Sequence, residues 1–187
     1  NAKDMRGVNI LSKNGFTYVS SNYHIYRKNF LPKNLTQELD YIKNNIELEK
    51  VCSMAENHFL TSHFYKDRTF NYEKVNEMYN LWVREYYKTK NKILTVIRNK
   101  DDEPVAFITG EHMPSKSFKL VHFLVERKYA SLGISQVLMY ALYNLLFKDS
   151  IGTIFTKIQT DNIPMVSLCI RNGFRIYQIE HIYHKWE

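Results

Sequence analysis

A strand, a helix and a second strand follow one another in the second half of the chain, and this order restricts the fold more than any other feature. Phe118 to Val125 is an almost wholly apolar run, as expected of a strand covered on both faces. Apolar residues recur at helical spacing from Ile134 to Leu146, and Thr153 to Gln159 again favours a strand. Because two strands joined by a helix usually run parallel, the sequence predicts a parallel pair within an α/β domain.

Two further β-rich runs precede this unit and one follows it. Ile93 to Arg98 and Val105 to Glu111 are separated by a polar loop, a pattern that predicts an antiparallel hairpin. Ile176 to Trp186 predicts a terminal strand. A chain of 187 residues, 44% of them apolar, is long enough to bury one core. The sequence therefore predicts one compact domain that combines parallel and antiparallel pairing.

The first half of the chain predicts two helices. Thr36 is a suitable N-cap, and the apolar stripe of Leu35, Leu39, Ile42 and Ile46, spaced three or four apart, predicts a helix from Thr36 into the region of Glu49. Asn71 can cap a second helix, whose buried stripe comprises Val75, Met78, Tyr79, Trp82 and Tyr86. We expect the segment from His58 to Arg68 between them to be an exposed connection.

Charge and cysteine content narrow the classes of partner. Lys and Arg number 26 against 19 Asp and Glu, a formal charge of +7, and they are scattered along the chain. This favours a small phosphate-bearing ligand over nucleic acid. Cys52 and Cys169 show neither disulfide nor metal spacing, so we expect free thiols and no metal. The polar start and the lack of an apolar run of roughly 20 residues predict a cytoplasmic protein without membrane contact.

Two distant segments of the chain resemble each other. Lys13-Asn-Gly-Phe16 is followed by His24-Ile-Tyr26, and Arg171-Asn-Gly-Phe174 is followed by His181-Ile-Tyr183. One interpretation is that residues 1–30 are the tail of a degenerate N-terminal half-domain that precedes a catalytic domain over residues 31–187. The other is chance, because a single short match is far from the sustained period of a repeat protein.

A glycine-containing loop connects the apolar strand to the helix that follows. Gly133 stands where the backbone N–H groups of Leu132, Ile134, Ser135 and Gln136 can point outward and bind an anion together with the helix dipole. The side chains of Ser135 and Gln136 can add donors. The alternative is a plain strand-to-helix turn that needs glycine for its conformation.

This loop resembles the signature of the GCN5-related N-acetyltransferase (GNAT) superfamily. Val125, Tyr129 and Gly133 occupy the family's positions, whereas Ala130 and Ser135 depart from it. A second signature follows, in which Asn162, Leu168 and Gly173-Phe174 have the family's spacing. The resemblance implies acetyl-CoA as co-substrate. It also implies a mixed, mostly antiparallel sheet with a parallel strand-helix-strand centre and helices on both faces.

Within the superfamily, the chain is most similar to TDP-fucosamine acetyltransferases. The similarity rests on Ser62-His-Phe64, on Tyr79-x-x-Trp82-Val83 and on Ile158-Gln-Thr160. It implies acetylation of a small-molecule amine on a nucleotide-linked amino sugar. For this substrate the expected contacts are His63, Phe64, Tyr65 and Arg68. The alternatives are acetylation of a protein, a peptide or another small amine, or an acyl-CoA-binding module without catalysis.

The resemblance also assigns roles in the chemistry. The backbone of Leu124 and Val125 would hold the pantetheine chain and polarise the thioester carbonyl. His122 is the first candidate to remove a proton from the acceptor amine, and Glu111 is the alternative. The family's usual Tyr acid, which protonates the departing thiolate, is replaced by Cys169, which is either an unusual acid or a small buried hydrophobe. Asn162 is a helix cap, a pantetheine ligand or both.

Overall fold

A computed structural model describes residues 5–35 and 37–187 of the chain. The helices are α1 (Met5–Lys13), α2 (Asn45–Met54), α3 (His63–Lys66), α4 (Tyr72–Lys88), α5 (Ile134–Lys148) and α6 (Ile163–Arg171). The strands are β1 (Thr17–Lys28), β2 (Asp40–Tyr41), β3 (Lys92–Arg98), β4 (Pro104–Met113), β5 (Ser117–Val125), β6 (Thr153–Gln159) and β7 (Arg175–His184). The predicted hairpin, the parallel strand-helix-strand unit and the terminal strand are all confirmed.

The strands form one sheet in the order β2-β3-β4-β5-β6-β1-β7. Every neighbouring pair is antiparallel except β5 and β6, which run parallel. Helices α5 and α6 pack on one face around Leu142 and Leu168, and α2 and α4 pack on the other around Val51 and Val83. The predicted mixed, mostly antiparallel sheet with helices on both faces is therefore confirmed.

The two parallel strands separate after a short stretch of pairing. β5 and β6 are in register only from Ser117 with Thr153 to Lys119 with Phe155. Beyond this point β5 stays paired with β4, and β6 stays paired with β1. The sheet consequently opens at its centre, and one edge of β5 faces the opening instead of a neighbouring strand.

The first predicted helix begins later than the sequence pattern indicated. Thr36, the predicted N-cap, lies outside the described residues. Asp40 and Tyr41 form β2 against β3, and the helix starts only at Asn45, where the Asn44 side chain accepts a hydrogen bond from the N–H of Glu47 (3.0 Å). Ile46, part of the presumed apolar stripe, is 84% exposed. The apolar residues before Asn45 are spaced as in a helix, but they pack from an extended segment.

The connection from His58 to Arg68 is less exposed than predicted. It contains the short helix α3 and the buried side chains of Ser62 and Tyr65. The Tyr65 ring stacks on Tyr79 of α4 with 5.5 Å between ring centroids. The segment is therefore packed against α4, which fixes the position of its remaining side chains.

The two similar segments of the sequence adopt the same local structure. At the end of α1 the N–H groups of Gly15 and Phe16 donate to the carbonyls three and five residues earlier, and Gly173 and Phe174 repeat both bonds at the end of α6. Both glycines have positive φ, 79° and 78°, which favours glycine in this Schellman-type turn. The strands that follow, β1 and β7, pair antiparallel with each other. Turns of this type end many helices, so the half-domain over residues 1–30 stays a prediction beside chance similarity.

Candidate active site

A cavity of about 590 Å³ lies where β5 and β6 separate. Its walls come from β5, β6 and α4, from the segment that carries α3, and from β1 and β7. Four buried polar atoms on its lining residues have no hydrogen-bond partner among the described residues: Oγ of Ser62, Nε2 of His122, Oδ1 of Asn22 and Nε2 of His24, the last of which lies 3.3 Å from the Glu180 carboxylate. Buried polar groups are normally paired, so these atoms indicate a site for a polar ligand.

The backbone of β5 presents alternate residues to the opening. The N–H of His122 donates to Oγ1 of Thr109, and the N–H of Glu126 donates to the carbonyl of Val105, so both point toward β4. Because N–H groups alternate along a strand, Phe123 and Val125 present theirs to the opening, whereas Leu124 faces β4. Of the two residues expected to bind pantetheine through the backbone, Val125 is oriented for it. Phe123 takes the place expected of Leu124.

The glycine loop has the geometry of an anion site. Gly133 precedes α5 with φ of 76°, and a Cβ built there would have no atom within 4 Å. The N–H of Gln136 donates to the Gly133 carbonyl, but in the described part of the chain the N–H groups from Leu132 to Ser135 have no backbone acceptor. The Gln136 side chain is used elsewhere, in two hydrogen bonds with Asn172. Gln136 therefore secures α5 to α6, and free donors remain at residues 132–135.

A bulge in β5 brings His122 into the cavity wall. The pairing with β4 shifts between Thr109 and Gly110, so that Val121 is the extra residue. The His122 ring lies 4.9 Å from Trp82 and 5.3 Å from Phe59 between centroids, and its Nδ1 is 2.7 Å from Oγ1 of Thr109. Burial lowers the pKa of His122 to about 4. His122 is thus neutral at physiological pH and costly to protonate.

The other two catalytic candidates lie outside the cavity lining. Glu111 is not among the lining residues, although it forms an ion pair (2.8 Å) with Lys119, which does line the cavity. Cys169 is fully buried in the core beside α5, and burial raises the pKa of its thiol to about 12. This environment is that of a small hydrophobe, the second of the two interpretations.

The predicted substrate residues divide into two groups. His63 and Phe64 line the cavity, and their rings lie 3.9 Å apart between centroids. The Tyr65 hydroxyl points away, toward Asn76 at 2.5 Å, and Arg68 is exposed outside the lining. Asn162 also lines the cavity. Its Oδ1 caps α6 by accepting a hydrogen bond from the N–H of Met165 (3.3 Å), and its Nδ2 takes no part in the cap.

Several lining residues were not found from the sequence. Asn22, His24 and Glu180 come from β1 and β7, and Asn22 donates to Glu180 (3.3 Å) across the strand pair. The repeated His-Ile-Tyr segments marked these strands. Nothing in the sequence showed that both strands join the sheet beside β6.

A profile of the Acetyltransferase (GNAT) family matches residues 59–174. The chain belongs to this GNAT family. The matched region runs from the segment before α3 to the end of α6 and includes β5 and β6, the two strands on either side of the opening. Membership confirms the predicted acetyltransferase family. The N–H groups of residues 132–135, which have no backbone acceptor, and the open edge of β5 offer a place for an elongated anionic ligand.

Solved structures share the GNAT fold at low sequence identity. A GCN5-related N-acetyltransferase from Sphaerobacter thermophilus aligns with a TM-score of 0.68 and 11% identity over 98% of this chain and 56% of its own. PaiA N-acetyltransferase from Thermoplasma acidophilum, in complex with coenzyme A, aligns with a TM-score of 0.63 and 13% identity over 81% of this chain and 100% of its own. A tandem GNAT protein from the clavulanic acid biosynthesis pathway aligns with a TM-score of 0.62 and 13% identity over 98% of this chain and 59% of its own.

The chain spans little more than half the length of two of these three proteins. Curated protein sequences gave no match. Within residues 5–35 and 37–187, no helix is both long and apolar enough to cross a membrane.

Proposed function

We propose that this GNAT domain transfers an acetyl group from acetyl-CoA to a primary amine, and that the acceptor is a nucleotide-linked amino sugar. The observation that carries the proposal is the continuity of the site. Free N–H groups before α5 and the open edge of β5 lead directly to a cavity with unpaired polar atoms.

Residues on one side of the site are arranged for acetyl-CoA. The pyrophosphate would bind the N–H groups of Leu132 to Ser135 at the positive end of α5. The pantetheine chain would pair with Phe123 and Val125, and Nδ2 of Asn162 adds a donor from the opposite wall. A thioester carbonyl held against these strand N–H groups would be polarised for attack.

The chemistry of the cavity favours a sugar acceptor. Aromatic side chains of Phe59, Tyr79 and Trp82 supply flat apolar walls, and the unpaired atoms of Ser62 and Asn22 suit hydroxyl groups. Lys119 and Lys157 also line the cavity and, although each forms an exposed ion pair, with Glu111 and Glu180, they add positive charge that attracts the phosphates of a nucleotide. The carboxylate of Glu180 is already engaged by Lys157 at 3.2 Å, which disfavours a polycationic amine.

The reaction requires a proton to leave the amine and another to reach the thiolate. As the nitrogen bonds to the acetyl carbon, the C–S bond breaks and CoA departs as a thiolate. His122 faces the acceptor, but it is buried with only the Thr109 hydroxyl at its Nδ1, so no charged group would stabilise its protonated form, and it is better suited to a hydrogen bond with the substrate. Since the Cys169 thiol lies outside the cavity, we assign protonation of CoA to solvent.

The first experiment is binding of acetyl-CoA, measured as a thermal shift. The second is release of free CoA thiol with four acceptors: a nucleotide-linked 4-amino sugar, free glucosamine, spermidine and a peptide with a free N-terminus. We expect stabilisation by acetyl-CoA and fastest release with the nucleotide-linked sugar. Turnover of the peptide alone would move the acceptor to proteins, and the absence of any shift with acetyl-CoA would overturn the proposal.

Replacing Gly133 with alanine should weaken acetyl-CoA binding about tenfold, equivalent to about 1.4 kcal/mol. The new methyl group would stand in the open space that the pyrophosphate approaches. It should also cost about 1 kcal/mol of stability, because alanine is strained at positive φ. Gly15→Ala is the matched control, since Gly15 has φ of 79°, precedes β1 and would bring its Cβ only to the end of the Lys185 side chain, at 4.0 Å. Titration calorimetry and urea unfolding separate the two effects, and equal affinities for both variants would contradict the assignment.

A further inference from the structure

Three side chains form a hydrogen-bonded row that ends in the cavity. Oδ2 of Asp67 lies 2.5 Å from Nδ1 of His184, and Nε2 of His184 lies 3.0 Å from Nδ1 of His63. His63 lines the cavity, and its Nε2 has no partner among the described residues. The row therefore connects a largely shielded carboxylate to the cavity in which we propose that the acceptor binds.

The fold holds this row rigidly. Asp67 caps the end of α3, where its backbone N–H donates to the carbonyl of His63, and its Oδ2 also accepts from Nε1 of Trp186 (2.9 Å). The Phe70 ring packs against both Trp186 (4.8 Å) and His184 (5.6 Å). The side chains of Asp67 and His184 are only 10% and 15% exposed. Water thus has little access to the Asp67–His184 bond.

The direction of each hydrogen bond follows from the carboxylate. Burial raises the pKa of Asp67, but hydrogen bonds from His184, Thr69 and Trp186 outweigh this and hold it far below its usual value. An ionised carboxylate only accepts, so His184 must carry its proton on Nδ1. With His184 neutral, a premise of the proposal that the NMR experiment below tests, its Nε2 accepts and His63 donates from Nδ1. This leaves a lone pair on Nε2 of His63, on the side of the cavity.

The charges around His63 keep that lone pair available. Burial is the largest cause that lowers the pKa of His63, a positive charge on His184 would lower it further, and Glu180 and Asp67 act in the opposite direction, with a net lowering. Other ionisable groups nearby are His24 of β1 and the Lys66–Asp161 ion pair (2.5 Å). At neutral pH His63 is therefore unprotonated. When it gains a proton, it can pass its Nδ1 proton to His184, whose positive charge then lies against Asp67.

We propose that His63 is the general base that takes the proton from the acceptor amine, and that His184 and Asp67 are positioning residues that fix its tautomer and stabilise its charge. The inference rests on the proposed acetyl transfer. As the nitrogen–carbon bond forms and the C–S bond breaks, the amine proton moves to Nε2 of His63. His122 has no carboxylate behind it, since its Nδ1 meets the hydroxyl of Thr109.

The test compares the pH dependence of kcat/KM for acetyl transfer to the most active amine of the four-member panel. We expect His63→Gln to lower kcat about 100-fold and to abolish the acidic limb of the profile. Asp67→Asn and His184→Gln should lower kcat less and shift that limb. His122→Gln should mainly raise KM for the amine and keep the limb. His112→Gln, outside the cavity, is the matched control and should change neither.

A second readout does not depend on turnover. In 15N-histidine NMR of the free protein, we expect His184 and His63 to be protonated on Nδ1, with a low-field Nδ1 proton for His184 that disappears in Asp67→Asn. A His63 protonated on Nε2 would overturn the proposal. The proposal would also be overturned if His63→Gln turned over the amine at the wild-type rate with an unchanged acidic limb. That result would leave the proposed acetyl transfer intact. Absence of wild-type turnover with every amine would instead count against both.

Discussion

Replacing Arg98 with methionine should lower the free energy of unfolding by about 3 kcal/mol. Arg98 lies at the end of β3, where its guanidinium donates to both carboxylate oxygens of Glu47 on α2. It also donates to the backbone carbonyls of Tyr41 (3.0 Å) and Asp102 (3.2 Å). The side chains of Arg98 and Glu47 are only 5% and 9% exposed. Methionine fills similar space but leaves the Glu47 carboxylate buried without its cation.

The loss should depend on pH in a defined direction. Burial raises the pKa of Glu47, but the hydrogen bonds from Arg98 and Lys43 and the charge of Arg98 lower it below the ordinary 4.5. A carboxylate with a depressed folded-state pKa stabilises above its unfolded pKa, and that contribution is lost as the pH falls through the folded value. The difference between wild type and Arg98→Met should therefore be largest near pH 7 and shrink below about pH 4.5.

Urea unfolding at pH 7 and at pH 4 measures this difference. Arg84→Met is the matched control, because Arg84 makes a similar two-bond contact with Glu49 on the surface (2.6 Å for each bond). Since exposed ion pairs contribute little, the control should lose much less stability than Arg98→Met. Equal losses for the two variants, or a loss for Arg98→Met that grows in acid, would contradict the explanation.

Replacing Gly110 with alanine should cost about 3 kcal/mol, the upper range for overpacking a filled core. Gly110 lies on β4 at the bulge opposite Val121. A Cβ there would be 2.1 Å from Cζ of Phe118 and 2.7 Å from the backbone carbonyl of Lys119. Phe118 is fully buried and the carbonyl belongs to a paired strand, so neither can move without displacing β5.

Thermal or urea unfolding compares this variant with Gly152→Ala. A Cβ at Gly152 meets no atom within 4 Å and its φ is not positive, so the control should be close to neutral. Because β5 carries both Val125 and His122, the molecules of the Gly110→Ala variant that do fold should also bind acetyl-CoA more weakly. A near-neutral Gly110→Ala would mean that β4 and β5 can separate without cost.

Local patterns predicted the centre of this fold well because their physical causes are local. The strand from Thr153 to Gln159 agrees with β6 in both bounds, and the helix from Ile134 follows Gly133 as expected. Asn71 and Asn162 each cap a helix through the side chain, as their positions indicated. A cap, a turn glycine and an apolar run act over a few residues, so the sequence is sufficient to place them.

Prediction failed where tertiary contacts decide the structure. The apolar spacing after Leu35 favoured a helix, but Asp40 and Tyr41 pair with β3, and that pairing determines the local conformation. The buried thiol of Cys169 likewise depends on α5, far away in sequence.

The site was only partly predictable for the same reason. The Val125-to-Gly133 segment and Asn162 were found because they follow a linear signature. His63 was placed in the acceptor site, but its contact with His184 joins residues separated by most of the domain. No short sequence pattern predicts that contact. None predicts that Asn22 and Glu180 line the same cavity.

The position of β1 between β6 and β7 has a consequence for how the protein is made. Both partners of β1 follow it by more than a hundred residues, so a chain leaving the ribosome carries this strand unpaired until synthesis of the domain is almost finished. Three consecutive polar residues are buried in this strand once the sheet has folded: Ser20, Ser21 and Asn22. While β1 is still unpaired, their polarity should make it less prone to pair with strands of other nascent chains.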